Sequence, residues 1–194
     1  AKRSAERLKA YMLPVGPLGQ IDPNKQKKYN DSHLAWAKAV KAGGDPLDEA
    51  TEVSALISLA ERDRVALWIH EATTQGATIA CGGKLDENGV LLPTIILNAR
   101  PDMKVCSHEV FGPVVTVTIY DEVGKALEMA NNSDFGLQAA IFTSRIDTAL
   151  QAIRTLDFGG VVVNDVPTFR ADQQPYGGVR DSGNTREGPA YSVK

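Results

Sequence analysis

Cysteine is scarce in this chain: Cys81 and Cys106 are the only two among 194 residues. Two thiols are too few for the disulfide framework of a small secreted domain, and neither stands in the Cys/His spacing of a zinc site, so reduced thiols and no metal are expected. Long apolar runs are missing as well. Nothing approaches the roughly 20 apolar residues that a membrane-spanning helix needs, and the first residues carry Glu6 without an apolar stretch, unlike a signal peptide. A cytoplasmic protein with no membrane partner is the expectation. The net charge is slight, −3, which leaves no electrostatic footprint for a nucleic acid. What is present is an ordinary globular composition: 43% hydrophobic and 23% charged residues argue against both disorder and a coiled coil. A chain of this length has room for one ordinary domain with a hydrophobic core, with at most an appended arm.

The charge is uneven. Lys2, Arg3, Arg7, Lys9, Lys25, Lys27 and Lys28 face only Glu6 and Asp22 in the first 28 residues, and the remainder is acidic. A short helix is expected over 2–12, and Pro14, Gly16, Pro17, Gly19 and Pro23 then make a linker that cannot continue it. Residues 1–29 thus read as a basic helical arm with a Pro/Gly linker, and 30–194 as the body. The arm is either a solvated surface helix or a segment that docks on an acidic partner.

In the body, a helix from Asn30 or Ser32 presents Leu34, Ala37 and Val40 on one face and stops at Gly43-Gly44. Ser58 and Glu61 form a capping-box pattern ahead of Val65, Trp68, Ile69 and Ala72, whose spacing predicts a helix ending at Gly76. Thr78 to Cys81 is a short strand, and Val90–Leu92 and Thr94–Leu97 are extended chain broken by Pro93. Strands over 114–120, 137–143 and 161–164 then alternate with helices over 121–131 and 146–156. Nearly all-apolar strands alternating with helices predict an α/β fold, three-layer, with a mostly parallel sheet flanked by helices. The last thirty residues read as loop.

Ligands of such sheets bind beyond the carboxyl ends of the strands, in loops. Two loops carry candidate chemistry. In His108-Glu109-Val110-Phe111-Gly112-Pro113, the Glu109 carboxylate can accept hydrogen bonds from both hydroxyls of a ribose, and Phe111 offers a flat apolar face to an aromatic ring. Residues alone leave open a plain turn with one buried aromatic and one solvated carboxylate. The second loop is Pro175-Tyr176-Gly177-Gly178-Val179-Arg180-Asp181-Ser182-Gly183.

These strings, with Gly44-Asp45-Pro46-Leu47, Gly82-Gly83-Lys84, Pro93-Thr94, Met103-Lys104-Val105, Phe135-Gly136-Leu137, Ala140-Ile141-Phe142, Gly160 through Arg170 and Arg186-Glu187-Gly188, resemble the aldehyde dehydrogenase superfamily. They occur in the family's order, and they cover the later part of its catalytic domain. The resemblance implies NAD or NADP as cofactor, with Glu109 on the ribose and Phe111 on the nicotinamide. It implies Asn164 as a brace of the active-site loops, although the residue alone reads equally as an ordinary strand-end Asn. Thr168, Phe169, Arg170 and Tyr176 would line the aldehyde entrance. Phe169 could equally be a packing residue, and Arg170 either a solvated surface side chain or a bidentate partner for an anionic group. The substrate implied is a small aldehyde, hydroxylated or anionic.

The family's chemistry needs a cysteine thiolate, an oxyanion pocket and a carboxylate-activated water. The nucleophile should lie upstream of Gly44, where there is no cysteine, so no catalytic residue is assigned. Cys81 and Cys106 read as buried structural thiols. The chain is expected to be truncated at both ends and inactive alone. The alternative is a non-enzymatic interaction or regulatory module assembling with a longer dehydrogenase chain, as a homo- or hetero-oligomer.

Overall fold

The computed structural model describes Leu47, Glu49 and residues 51–192. The arm expected over 1–29, the helix expected from residue 30 or 32 to 43 and most of the Gly44–Leu47 loop lie outside the described residues. Those described fall into two compact units, one within 30–119 and the other from Tyr120 onward.

In the first unit, helix α1 spans Leu59–Thr74. It starts where the sequence places it: the Ser58 hydroxyl accepts the Glu61 amide at 3.2 Å, satisfying one of the orphan donors of the first turn. It ends as Gly76 takes φ 103° and the Ala77 amide reaches back to the Ala72 carbonyl at 2.9 Å. Val65, Ile69 and Ala72 are its buried face. The sheet beneath has the order β1 (Thr78–Cys81), β2 (Thr94–Leu97), β3 (Val114–Val117). Strand β1 is antiparallel to β2, with an irregularity between Ile79 and Cys81, whereas β2 and β3 run parallel from Thr94↔Val114 to Leu97↔Val117. The central strand β2 is the most buried, as apolar Ile95 and Ile96 require. Buried Thr94 is satisfied: its hydroxyl donates to the Leu92 carbonyl at 2.8 Å and accepts the Gly83 amide at 2.9 Å. Val65, Ile69, Leu91, Ile96, Met103 and Val105 form the core of this unit. Each large apolar side chain there contributes on the order of 1.5–3 kcal/mol. Between β2 and β3 runs a one-turn helix, α2 (Lys104–Ser107), which is too short to leave a periodic signal in the sequence.

In the second unit, α3 (Val123–Asn131) precedes β4 (Phe135–Gly136) and β5 (Gln138–Ile141); α4 (Ile146–Thr155) then leads to β6 (Gly160–Val163). Strands β5 and β6 pair in parallel around the α4 crossover, the strand-helix-strand arrangement expected. The terminal thirty residues are not all loop. Val179–Arg180 forms a short strand, β7, antiparallel to β4, and Pro189–Ser192 forms a final turn of helix, α5. Two residues pairing across more than forty positions give no local pattern, so a sequence reading sees only the glycines around them. Leu127, Ala152 and Leu156 are the buried core here, with Ala139, Ile141, Phe158 and Val161 packed against them. The fold is α/β: antiparallel β1 extends the parallel pair β2–β3 into a three-stranded sheet, while in the later unit the parallel pair β5–β6 and the antiparallel pair β4–β7 are separate two-stranded sheets.

Candidate functional site

The loop after α2 is held from below by α1. The Arg64 guanidinium donates twice to Glu61 Oε2, at 2.8 and 2.6 Å, and its Nη2 also donates to the Val110 carbonyl at 2.9 Å. The same guanidinium lies 4.3 Å from the centroid of the Trp68 ring, and Trp68 meets the His108 ring edge-on at 5.4 Å. The loop is thus pinned at 108 and 110, while the residues between and beyond these pins point outward. Glu109 is exposed, and Phe111 is 78% exposed with φ 49°, in the left-handed region that a bulky side chain rarely enters. The structure therefore corrects the notion of a buried aromatic in this turn: the ring faces solvent. Gly112 follows against Leu56 and Val65, each with a side-chain carbon 3.5 Å from where a Cβ would stand.

In the second unit, Asn164 ends β6 at φ 59°, its amide donating to the Ile141 carbonyl at 2.9 Å. Its side-chain oxygen accepts the Thr143 amide, also at 2.9 Å, tying together the chain ends that leave β5 and β6. Both positions suit a brace at the carboxyl end of a parallel pair. Thr168 and Phe169 lie exposed on the turn closed by the Phe169 amide on the Val166 carbonyl at 3.0 Å. Arg170 and Tyr176 come together, the guanidinium carbon lying 4.5 Å from the ring centroid. Arg170 also donates to Glu187 Oε2 at 3.1 Å, and Glu187 is the backbone partner of Tyr176 in an antiparallel bridge. The carboxylate that Arg170 suits is thus supplied here by the chain itself. Gly159 packs so closely on the Gly177 carbonyl that a Cβ would collide with it, which brings the end of α4's connection under the second loop.

Cys81 and Cys106 are both half-buried rather than fully enclosed. Burial pushes the Cys106 thiol above its ordinary range, Asp102 adds to this, and a hydrogen bond with Thr116 works against it. A thiol held in its protonated form is the reverse of an activated nucleophile. Among the described residues no cluster of His, Cys, Asp and Glu could hold a metal ion, and no helix is long and apolar enough to cross a membrane. Sequence reasoning missed Arg64 and Glu187. An arginine three residues after an acid and four before a tryptophan on one helix is the signal that could have marked the first, though not the distant carbonyl it serves.

Residues 26–194 match the model of the aldehyde dehydrogenase family. A 3-sulfolactaldehyde dehydrogenase of Priestia aryabhattai is 46% identical over 151 residues, which are 78% of this chain and 31% of that protein. A lactaldehyde dehydrogenase of Methanococcus aeolicus is 42% identical over 150 residues, 77% of this chain and 32% of its own length. Among solved structures, aldehyde dehydrogenase 21 of Physcomitrella patens, in complex with succinate, superposes with a TM-score of 0.84 at 33% identity, over 88% of this chain and 35% of that one. The chain belongs to the aldehyde dehydrogenase family, and it spans about a third of the length of the curated relatives it matches.

Proposed function

We propose that these residues form part of the cofactor and aldehyde walls of an NAD(P)-dependent aldehyde dehydrogenase, with the nucleophile supplied from elsewhere. The observation that carries this is the pinned loop. An exposed carboxylate and an exposed ring two residues apart are the groups that a ribose diol and a flat nicotinamide require, so the residues present fit the cofactor the family implies. When bound, that cofactor supplies the hydride acceptor. Glu109 would hold the ribose hydroxyls, Phe111 would face the nicotinamide, and Asn164 would keep the strand ends from which the aldehyde loops leave in register.

For the aldehyde, the reading is a small hydroxylated or anionic substrate met by Thr168, Phe169, Arg170 and Tyr176. The relatives named for lactaldehyde and 3-sulfolactaldehyde support it, as does a guanidinium already seated on a carboxylate. Neither Cys81 nor Cys106 stands upstream of Gly44, where the resemblance places the nucleophile, so the isolated chain is expected to give no aldehyde-dependent NADH or NADPH. Mixing it with a polypeptide that carries a dinucleotide-binding domain and a nucleophilic cysteine restores turnover. Aldehyde-dependent reduction by a homogeneous sample of the chain alone refutes this reading.

A further inference from the structure

We propose that Arg64 is the positioning residue of the cofactor loop: from α1 it sets the backbone between Glu109 and Phe111, and so the direction in which both are presented. The inference rests on reading those two residues as cofactor contacts. Arg64 is restrained three ways, by two hydrogen bonds to Glu61 Oε2, by the face of Trp68 and by the Val110 carbonyl. Its side chain is only 28% exposed, so little freedom remains to it. The carbonyl it grips belongs to the one residue between the carboxylate and the ring. A hydrogen bond at its oxygen resists rotation of that peptide plane, and this plane is the one that enters Phe111. The ring's left-handed φ of 49° is a conformation that persists only where the surroundings impose it.

Trp68 adds a second hold, one residue before Glu109, through its edge contact with His108. Pins at 108 and 110 leave 109 and 111 free to project. Lysine cannot replace this arginine, because a point charge supplies neither the planar stack on tryptophan nor the fork that serves two acceptors.

The test uses the full 194-residue chain and nicotinamide riboside, a probe that carries only the ribose and ring assigned to Glu109 and Phe111. The readouts are the Phe111 amide coupling constant, amide exchange over 110–112, and riboside affinity from NMR shifts. Arg64→Gln moves the coupling out of its left-handed value, quickens exchange about tenfold at these amides alone, and weakens riboside binding several-fold. Arg64→Lys does not restore them. Should Arg64→Gln fail to fold, Glu61→Gln, which loses the carboxylate that aims the guanidinium and keeps the rest, carries the same readouts in the same direction. Unchanged coupling and exchange overturn the proposal, and so does a loosened loop that binds riboside as tightly as before. Failure of the underlying cofactor reading has a different signature: the wild type itself shows no riboside contact at Glu109 and Phe111, while coupling and exchange still decide the role of Arg64.

Discussion

Arg170 faces a choice of carboxylates. Its partner Glu187 is 65% exposed and it is itself 47% exposed, so their ion pair is worth about 0–1 kcal/mol. On the proposed reading, a substrate anion accepting a charge-assisted fork from the same guanidinium would gain about 1.5–3 kcal/mol and would displace Glu187. In the assembled enzyme, Arg170→Met therefore raises KM for an anionic aldehyde about tenfold, or about 1.4 kcal/mol, and leaves KM for a neutral aldehyde of equal length unchanged. Equal losses for both aldehydes would show that Arg170 only shapes the loop. At this scale Glu109, Phe111 and Arg170 were singled out as positions by the order of motifs around them, their roles belonging to the proposed function. Arg64 was not, because the carbonyl it serves is 46 positions away and no carbonyl advertises itself in a sequence. The pairing of Arg170 with Glu187 escaped for the same reason, since only the bridge between Tyr176 and Glu187 sets the two side by side.

Elements whose cause is local were read well, and those whose cause is distant were not. Helix α1 begins at its Ser58 cap and buries the stripe the spacing named. Strand β7 carries a residue that ties it to three distant carbonyls. Arg180 has φ 56° and donates to the Asn131, Phe135 and Asp157 carbonyls at 2.7, 2.7 and 2.8 Å, joining the end of α3, strand β4 and the turn after α4. Asn131 doubles this link, its amide donating to the Thr155 carbonyl at 2.7 Å and accepting the Asp157 amide at 2.9 Å. Replacing Arg180 by methionine keeps the stem and strands three acceptors, so urea unfolding loses about 2 kcal/mol. A change within about 0.5 kcal/mol would mean that water satisfies those carbonyls equally well.

Over the whole molecule, stability follows the uneven division of buried apolar surface. The unit within 30–119 packs Leu91, Ile96, Met103 and Val65 at 0–1% exposure, while the later unit centres on Leu127, Ala152 and Leu156. Hydrogen exchange is accordingly slowest in β2 and faster in β5 and β6. Slowest exchange in β5 or β6 would reverse that ranking. The α/β class was evident from alternating apolar strands and helices, whereas the division at Tyr120 was not, because no glycine- or proline-rich stretch marks it.

Phe111 also carries a selective burden. An uncovered aromatic in a left-handed backbone forgoes burial, and the conformation costs a non-glycine residue about 1–2 kcal/mol. Phe111→Gly should relieve that strain and leave the thermal midpoint equal to or above that of the parent, while abolishing riboside contact; a clear fall in the midpoint would show the ring to be structural. Drift toward a more durable protein thus runs against this ring, and the proposed cofactor contact is what would hold it in place.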